Sequence, residues 1–131
     1  MPRILIVEDN RDAREMMATL LRGDDREIVQ AADGKDALER CAEVTPRVAI
    51  VDIFMPVMDG VELMHVLRAR YPKTRIIAIS AGWNVPNLTV TEAIEDPLLT
   101  AARLGADLVL PKPVDTRALR DAVATLLADE P

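Results

Sequence analysis

Five polar residues lie at the ends of short apolar runs in this sequence. Glu8 and Asp9 directly follow one run, and Asp52 ends another. Ser80 ends a third run, and Lys112 comes just after a fourth. If the runs are parallel strands of one sheet, their carboxyl ends meet at one edge, where open α/β sheets place their ligand sites. Three acids, a hydroxyl and a lysine at such positions predict a single functional site.

The residue types suggest the chemistry of that site. Carboxylates forced together repel by about 4 kcal/mol per pair at about 4 Å and an effective dielectric near 20. Such a cluster is either partly protonated or holds a hard cation, and Mg²⁺ (or Mn²⁺) fits carboxylate, water and phosphate oxygens. Lys112 could pair with a phosphate or with Asp52, and Ser80 could donate to a phosphoryl oxygen. Asp52, ionised at neutral pH, could attack phosphorus without a general base.

The apolar runs have the length and composition of strands buried on both faces of a parallel sheet. They are Ile4–Val7, Val48–Val51, Ile76–Ile79 and Leu108–Leu110, with a weaker strand at Glu27–Ala31. Segments with apolar stripes at spacings of three and four residues lie between them and predict helices. Five strands alternating with five helices predict a doubly wound α/β domain.

Two helix boundaries can be predicted from capping residues. Asp115 or Thr116 is expected to cap the last helix. Asp96-Pro97 resembles an N-cap followed by proline at the first helical position, which predicts a helix that ends at Gly105. Residues 82–95 then form an enlarged loop.

Composition and charge restrict the class of function. The 131 residues are 50% hydrophobic and 29% charged, which is ordinary globular composition, and the length predicts one domain spanning 1–131 with no second domain. A net charge of −6 argues against nucleic acid and against an anionic membrane surface as direct partners. A single cysteine and the lack of a signal-peptide core predict a cytoplasmic protein.

These residues resemble the receiver domain of bacterial two-component response regulators over essentially the whole chain. The stretches that carry the resemblance are Ile4–Asn10, Val51–Gly60, Ile79–Ala81, Gly105–Asp107 and Lys112-Pro113. The family implies a flavodoxin-like sheet with strand order 2-1-3-4-5.

The resemblance also implies a role for each residue. Asp52 would be the phosphoacceptor, and Asp9 a direct Mg²⁺ ligand alongside Asp52. Glu8 would act on the metal mainly through water, and the backbone carbonyl of Phe54 would be a further ligand. Ser80 would be the switch hydroxyl and Lys112 the phosphate contact, with a cis Lys112–Pro113 bond.

The resemblance further implies how the protein works in the cell. The phosphoryl donor would be a histidine kinase or a histidine phosphotransfer protein, and the signal would pass to a downstream protein effector. We expect a monomer or a weak phosphorylation-dependent dimer. It would catalyse only its own phosphotransfer and slow autodephosphorylation. One of Met16 and Met17 could be exposed beside the site as part of a docking face, although core packing is the commoner use of such a pair.

Two departures from the family pattern affect the steps after phosphorylation. Val109 occupies a position that usually carries Tyr or Phe, so the usual aromatic relay should be absent, and coupling could run through the loop around Trp83 instead. Phe54 and Gly82, which stand where side chains often orient hydrolytic water, offer no base or acceptor. The lack of such a group at both positions predicts a long-lived acyl phosphate.

Other functions remain compatible with some of the same residues. The protein could be an intermediate phosphate carrier or sink in a phosphorelay. An aspartate-nucleophile phosphatase is disfavoured because Phe54 stands where its second aspartate should be. A flavodoxin-like electron carrier is disfavoured because Glu8 and Asp9 would repel its phosphate. An unphosphorylated docking module is disfavoured because it would not need all five polar residues. A purely structural alternative is that the acids are solvated helix caps.

Overall fold

Five parallel strands form a single sheet with helices packed on its two faces. The structure is a computed structural model that describes residues 1–53, 60–81 and 105–128, with only the backbone of Ser80 and Ala81. The strands are β1 (Arg3–Val7), β2 (Glu27–Ala31), β3 (Val48–Asp52), β4 (Arg75–Ala81) and β5 (Leu108–Lys112). The helices are α1 (Arg11–Leu21), α2 (Gly34–Glu43), α3 (Gly60–Arg70) and α4 (Thr116–Ala128).

The strand order is β2-β1-β3-β4-β5, and all four pairings are parallel. The predicted fold class and strand order are therefore confirmed. Four of the five predicted helices lie in the described part of the chain. The predicted helix over 97–104 and the enlarged loop over 82–95 lie outside the described residues. Gly105, where we expected that helix to end, has a φ of 85°, which favours glycine.

Alternate residues of the central strands enter two separate cores, which explains why these strands lack polar alternation. Leu5 and Val7 of β1 pack with α2 and α3 on one face of the sheet, whereas Ile4 and Ile6 pack with α1 and α4 on the other. All five residues of β3 are buried. The cores are aliphatic, and Cys41 of α2, only 2% exposed, packs there as a small hydrophobe.

An arginine of α3 ties together the segments that precede β4 and β5. Arg68 donates to the backbone oxygens of Gly105 at 2.8 Å and Thr74 at 3.1 Å, and its guanidinium also pairs with Asp107. Asp107 in turn accepts a hydrogen bond from the backbone amide of Ile76 at 2.7 Å. These contacts fix the start of β5, the strand whose far end carries Lys112.

No helix in the described part of the chain is long and apolar enough to cross a bilayer.

Candidate functional site

The predicted acids come together at the carboxyl edge of the sheet. Val7 of β1 pairs with Val51 of β3, so Glu8 and Asp52 are the next residues on two neighbouring strands. Glu8, Asp9 and Asp52 each offer a carboxylate oxygen, and these oxygens all lie within 4.8 Å of one another. Glu8 and Asp52 are buried, whereas Asp9 is exposed. The edge therefore carries a carboxylate cluster that opens to solvent on the side of Asp9.

Lys112 reaches this cluster from the end of β5. Its Nζ donates to Asp52 Oδ2 at 3.1 Å and lies 3.6 Å from Glu8 Oε2. Burial acts to lower the pKa of Lys112, but the hydrogen bond to Asp52 and the negative charges of Asp52 and Glu8 outweigh it and raise the pKa overall. Lys112 is therefore a firmly protonated cation beside Asp52, with a side chain that is 33% exposed.

The surroundings of Glu8 disfavour its charged form. Its pKa is raised to about 7, chiefly because burial penalises the charged form. A hydrogen bond that the protonated carboxyl shares with Asp52 and the charge of Asp52 raise it further, while Lys112 and the Asn10 amide act against the shift. Its Oε2 is buried and has no hydrogen-bond partner among the described residues. A buried carboxylate oxygen of this kind is suited to a proton, a water or a cation.

The donor set fits a hard divalent cation. Three carboxylates face the single ammonium of Lys112, so negative charge is in excess when all are ionised. The candidate ligand atoms are all oxygens, and one of them, Glu8 Oε2, makes no hydrogen bond among the described residues. Asp9 is exposed to water, which suits Mg²⁺ because this ion keeps part of its hydration shell. The chemistry of the residues present is therefore compatible with the metal that the sequence predicted.

The turn that carries Glu8 and Asp9 is held by residues that sequence analysis did not identify. Asn10 caps α1 through a 2.9 Å hydrogen bond from the Ala13 amide to Asn10 Oδ1. Arg14 donates from Nη1 to the backbone oxygen of Glu8 at 2.8 Å. The Asn10 cap could have been recognised from its position before the apolar stripe of α1, whereas nothing local to the sequence indicates the contact of Arg14.

Gly60, which the resemblance included without a role, lies directly behind Asp52. A Cβ at position 60 would stand 2.3 Å from the backbone oxygen of Asp52 and 2.5 Å from Ile53 Cα. The Gly60 amide donates to the backbone oxygen of Ile53 at 2.8 Å. The backbone that presents Asp52 thus packs against the first turn of α3 at a distance that only glycine permits.

The remaining predicted site residues are only partly described. Ser80 lies in β4 and pairs with Pro111 of β5, one residue beyond the pairing of Ile79 with Asp52. Its backbone is therefore at the same edge, and its side chain lies outside the described part of the chain. Phe54, with its carbonyl, and the loop residues Gly82 and Trp83 also lie outside the described residues.

Two further expectations can be checked around Lys112. The Lys112–Pro113 peptide bond is cis, as the resemblance implied. Val109 pairs with Ala78, and its half-buried side chain packs against the core shared with α2 and α3. The position that usually holds an aromatic ring is thus a small residue that contributes to the core.

The fold and the cluster together define a doubly wound parallel α/β protein with an acidic centre and a lysine at the carboxyl edge of its sheet. The sequence profile of the family "Response regulator receiver domain" matches residues 4–124. The chain belongs to this family, as its sequence motifs predicted, and so is a receiver domain of the kind found in two-component response regulators.

Individual relatives agree with this assignment. The chain is 37% identical to the "Regulator of RpoS" of Escherichia coli (strain K12) over 126 residues, which are 95% of this chain and 34% of that protein. The receiver domain of NtrX from Brucella abortus has a TM-score of 0.80 at 26% identity, with 97% of this chain and 99% of that chain covered. The chemotaxis protein CheY4 of Vibrio cholerae has a TM-score of 0.77 at 26% identity, with 96% and 98% covered. The chain thus spans about a third of the length of the first of these relatives.

Proposed function

We propose that this domain is a phosphorylation-dependent signalling switch in which Asp52 accepts a phosphoryl group. The observation that carries the proposal is the setting of Asp52. Its side chain is 3% exposed, it accepts from the Lys112 ammonium, and it lies within 4.8 Å of the oxygens of two other acids. The Asp52 carboxylate is largely shielded from solvent, whereas the exposed Asp9 and the partly exposed Lys112 mark the side from which a phosphoryl donor could enter.

Each residue would contribute a distinct step. An Asp52 Oδ would attack the phosphorus of a phosphohistidine, so that a P–O bond forms, the P–N bond breaks and the electron pair returns to the imidazole nitrogen. Lys112, which remains protonated, would balance charge on the transferred oxygens. The Ser80 hydroxyl would hydrogen-bond one of these oxygens after transfer.

The metal ligands would be Asp9, Asp52 and the backbone carbonyl of Phe54, with Glu8 acting on the metal mainly through water. Bound Mg²⁺, or Mn²⁺, would supply positive charge that relieves the repulsion between these acids and admits an anionic phosphoryl group. The buried Oε2 of Glu8, which makes no hydrogen bond among the described residues and lies 3.6 Å from Lys112 Nζ, supports this assignment, because a cation or its water would give that oxygen a closer partner.

A protein donor would have room to approach along α1. Met16, 42% exposed, lines two adjoining surface grooves, one beside Glu8 and Lys112 and the other beside Asp12, Glu15 and Thr116. Met17 is buried in the core, so only Met16 of the pair is exposed and available to the docking face that we propose. We infer that a histidine kinase or histidine phosphotransfer protein docks there, and that the phosphorylated domain then binds a protein effector in the cytoplasm.

Phosphorylation by a small donor tests this function without knowledge of the partner. Incubation with acetyl phosphate and Mg²⁺ should add the mass of one phosphoryl group to the wild-type protein. The Asp52→Asn variant should gain none, whereas Asp25→Asn, a change at an exposed acid, should behave like wild type. Label that persists in Asp52→Asn, or that forms equally well in excess chelator, would exclude the proposal.

The labelling experiment and a parallel incubation with a phosphomonoester separate the rival functions. A docking module would acquire no label from acetyl phosphate, whereas a phosphatase would release phosphate continuously from the phosphomonoester. Because Phe54 and Gly82 offer no side-chain base or hydrogen-bond acceptor to orient water, we expect that the label, once formed, outlasts a timescale of seconds.

A further inference from the structure

The backbone of Glu8 is hydrogen-bonded through both its amide and its carbonyl group. Its amide donates to the backbone oxygen of Ala31 on β2 at 3.1 Å. Its carbonyl oxygen accepts from Arg14 Nη1 at 2.8 Å. Arg14 lies one turn into α1, and its Nε also donates to Gln30 Oε1 on β2 at 3.3 Å. The guanidinium thus links α1, the turn that carries the acids and the neighbouring strand.

We propose that Arg14 is a positioning residue for the metal site, because it fixes the backbone from which Glu8 and Asp9 project. This inference rests on the proposed function, in which those two acids bind Mg²⁺. The planar fork of arginine can donate to two acceptors in different directions at once, which a lysine ammonium on a flexible stem does less well. Contacts outside the ligand shell commonly control metal affinity by holding the ligands in register.

The contact of Arg14 is with a backbone oxygen rather than with a carboxylate. Its guanidinium is therefore not a counter-ion of the cluster in the way that Lys112 is, and it does not figure among the causes of the Glu8 pKa shift. The two possible roles of Arg14, as a nearby positive charge and as a residue that holds the turn, therefore predict opposite effects of its removal on Mg²⁺ binding. If Arg14 acted by charge alone, its removal would take a cation away from the acids and tighten Mg²⁺ binding. If it acts by holding the turn, its removal loosens the ligands and weakens Mg²⁺ binding.

Arg11 provides a matched control on the same helix. Its side chain is 78% exposed and pairs only with Glu15 across one helical turn among the contacts described, at 3.1 Å. Arg11→Gln and Arg14→Gln remove the same charge from the same helix, but only the second removes a contact with the turn.

The experiment is a Mg²⁺ titration by calorimetry at fixed ionic strength for wild type, Arg14→Gln and Arg11→Gln. We expect Arg14→Gln to weaken Mg²⁺ binding by about tenfold, at the low end of the effect of outer-shell partners. Arg11→Gln should bind as wild type does, or slightly more tightly. Unchanged or tighter binding by Arg14→Gln overturns the inference.

A second variant tests the same link without changing any charge. Gln30→Leu removes the acceptor that orients the guanidinium from β2, and it should weaken Mg²⁺ binding in the same direction by a smaller factor. In the double variant the two losses should be less than additive, because both act through one contact. Fully additive losses would mean that Arg14 does not act through Gln30 and would contradict this part of the inference.

A readout on the metal-free protein keeps the inference distinct from the proposed function. Amide hydrogen exchange at Glu8, Asp9 and Asn10, measured by NMR with chelator present, should be faster in Arg14→Gln and unchanged in Arg11→Gln. If wild type and Arg11→Gln bind Mg²⁺ and Arg14→Gln binds it equally well, only the inference about Arg14 fails. If wild type itself binds no Mg²⁺ at millimolar concentration, both fail.

Discussion

At the scale of single residues, Glu8 combines two properties that normally exclude each other. It is an acid, yet it is 1% exposed, and its pKa of about 7 places its titration near neutrality. The neighbouring Asp52 is buried too, so the two acids compete for one proton or one cation. Repulsion between these buried carboxylates therefore destabilises the site, and a bound cation can relieve it. Replacement of Glu8 tests how large this destabilisation is.

Replacement of Glu8 by glutamine should change how stability depends on pH. The pKa of Glu8 is about 7 in the folded protein and near its ordinary value of 4.5 in the unfolded chain. Because the folded-state value is raised, protonated Glu8 favours folding, and this contribution is lost as pH rises from 4.5 through 7. In metal-free wild type the loss should be of the order of 2–3 kcal/mol.

Urea unfolding at pH 5 and pH 8 with chelator present would measure this loss. In Glu8→Gln the difference between the two pH values should shrink by that amount. Glu15→Gln, a change at an exposed acid on α1, should leave the difference as it is in wild type. A Glu8→Gln variant with the full wild-type pH dependence would show that Glu8 does not carry the shift.

The identity of the site residues could be predicted from sequence because each one sits where an apolar run ends. Glu8 and Asp52 follow or end buried strands and Lys112 ends the half-buried β5, and parallel pairing alone brings those ends together. The depth of burial of Glu8 could not be predicted, since it depends on neighbours from several elements. Arg14 and Gln30 were missed for a related reason: their contact joins residues sixteen positions apart, on a helix and a strand.

At the scale of the elements, each predicted strand overlaps an observed strand, and most of the observed strands are longer by one to three residues. We predicted β4 as Ile76–Ile79 from its apolar residues, but the strand runs from Arg75 to Ala81. A strand is defined by backbone pairing, and the ladder with β5 continues through Ser80 and Ala81, regardless of how polar their side chains are. Of the two predicted caps of the last helix, Asp115 is the one observed, since its Oδ1 accepts from the Ala118 amide at 2.9 Å and Thr116 is the first residue of the helix.

The close packing of α3 behind β3 leads to a prediction for Gly60. In Gly60→Ala the new methyl group would collide with the backbone of Asp52 and Ile53, which cannot swing aside as a side chain can. We expect a loss of about 1–3 kcal/mol in the free energy of unfolding, as for other overpacked sites. Because the shifted backbone presents Asp52, the rate of labelling by acetyl phosphate should also fall.

Gly23 offers a control for this substitution. A Cβ there would meet the Asp25 side chain first, at 2.9 Å, and that exposed side chain can move away. Gly23→Ala should therefore change stability by less than about 0.5 kcal/mol and leave labelling unaffected. Equal effects of the two substitutions on the labelling rate would contradict the role assigned to Gly60.

At the scale of the whole molecule, folding and the acidic site are coupled. The two cores on either side of the sheet force β1 and β3 to lie side by side, and this brings Glu8 and Asp52 together whether or not a cation is present. Hydrophobic packing thus works against charge repulsion at the edge of the sheet. A ligand that binds only the folded state and removes this repulsion must stabilise the whole domain.

Mg²⁺ should therefore raise the free energy of unfolding at pH 8, and the gain should grow by about 1.4 kcal/mol for each tenfold rise in Mg²⁺ above its dissociation constant. Urea unfolding over a series of Mg²⁺ concentrations measures this slope. Sodium chloride at matched ionic strength serves as the control, because it screens the surface charges without occupying the site.

In Asp52→Asn, which removes one of the three acids, the metal-free protein should be more stable than wild type and the response to Mg²⁺ should be smaller. If sodium chloride gave the same gain as Mg²⁺, general screening would account for the effect, and the acidic cluster would not be the site of binding.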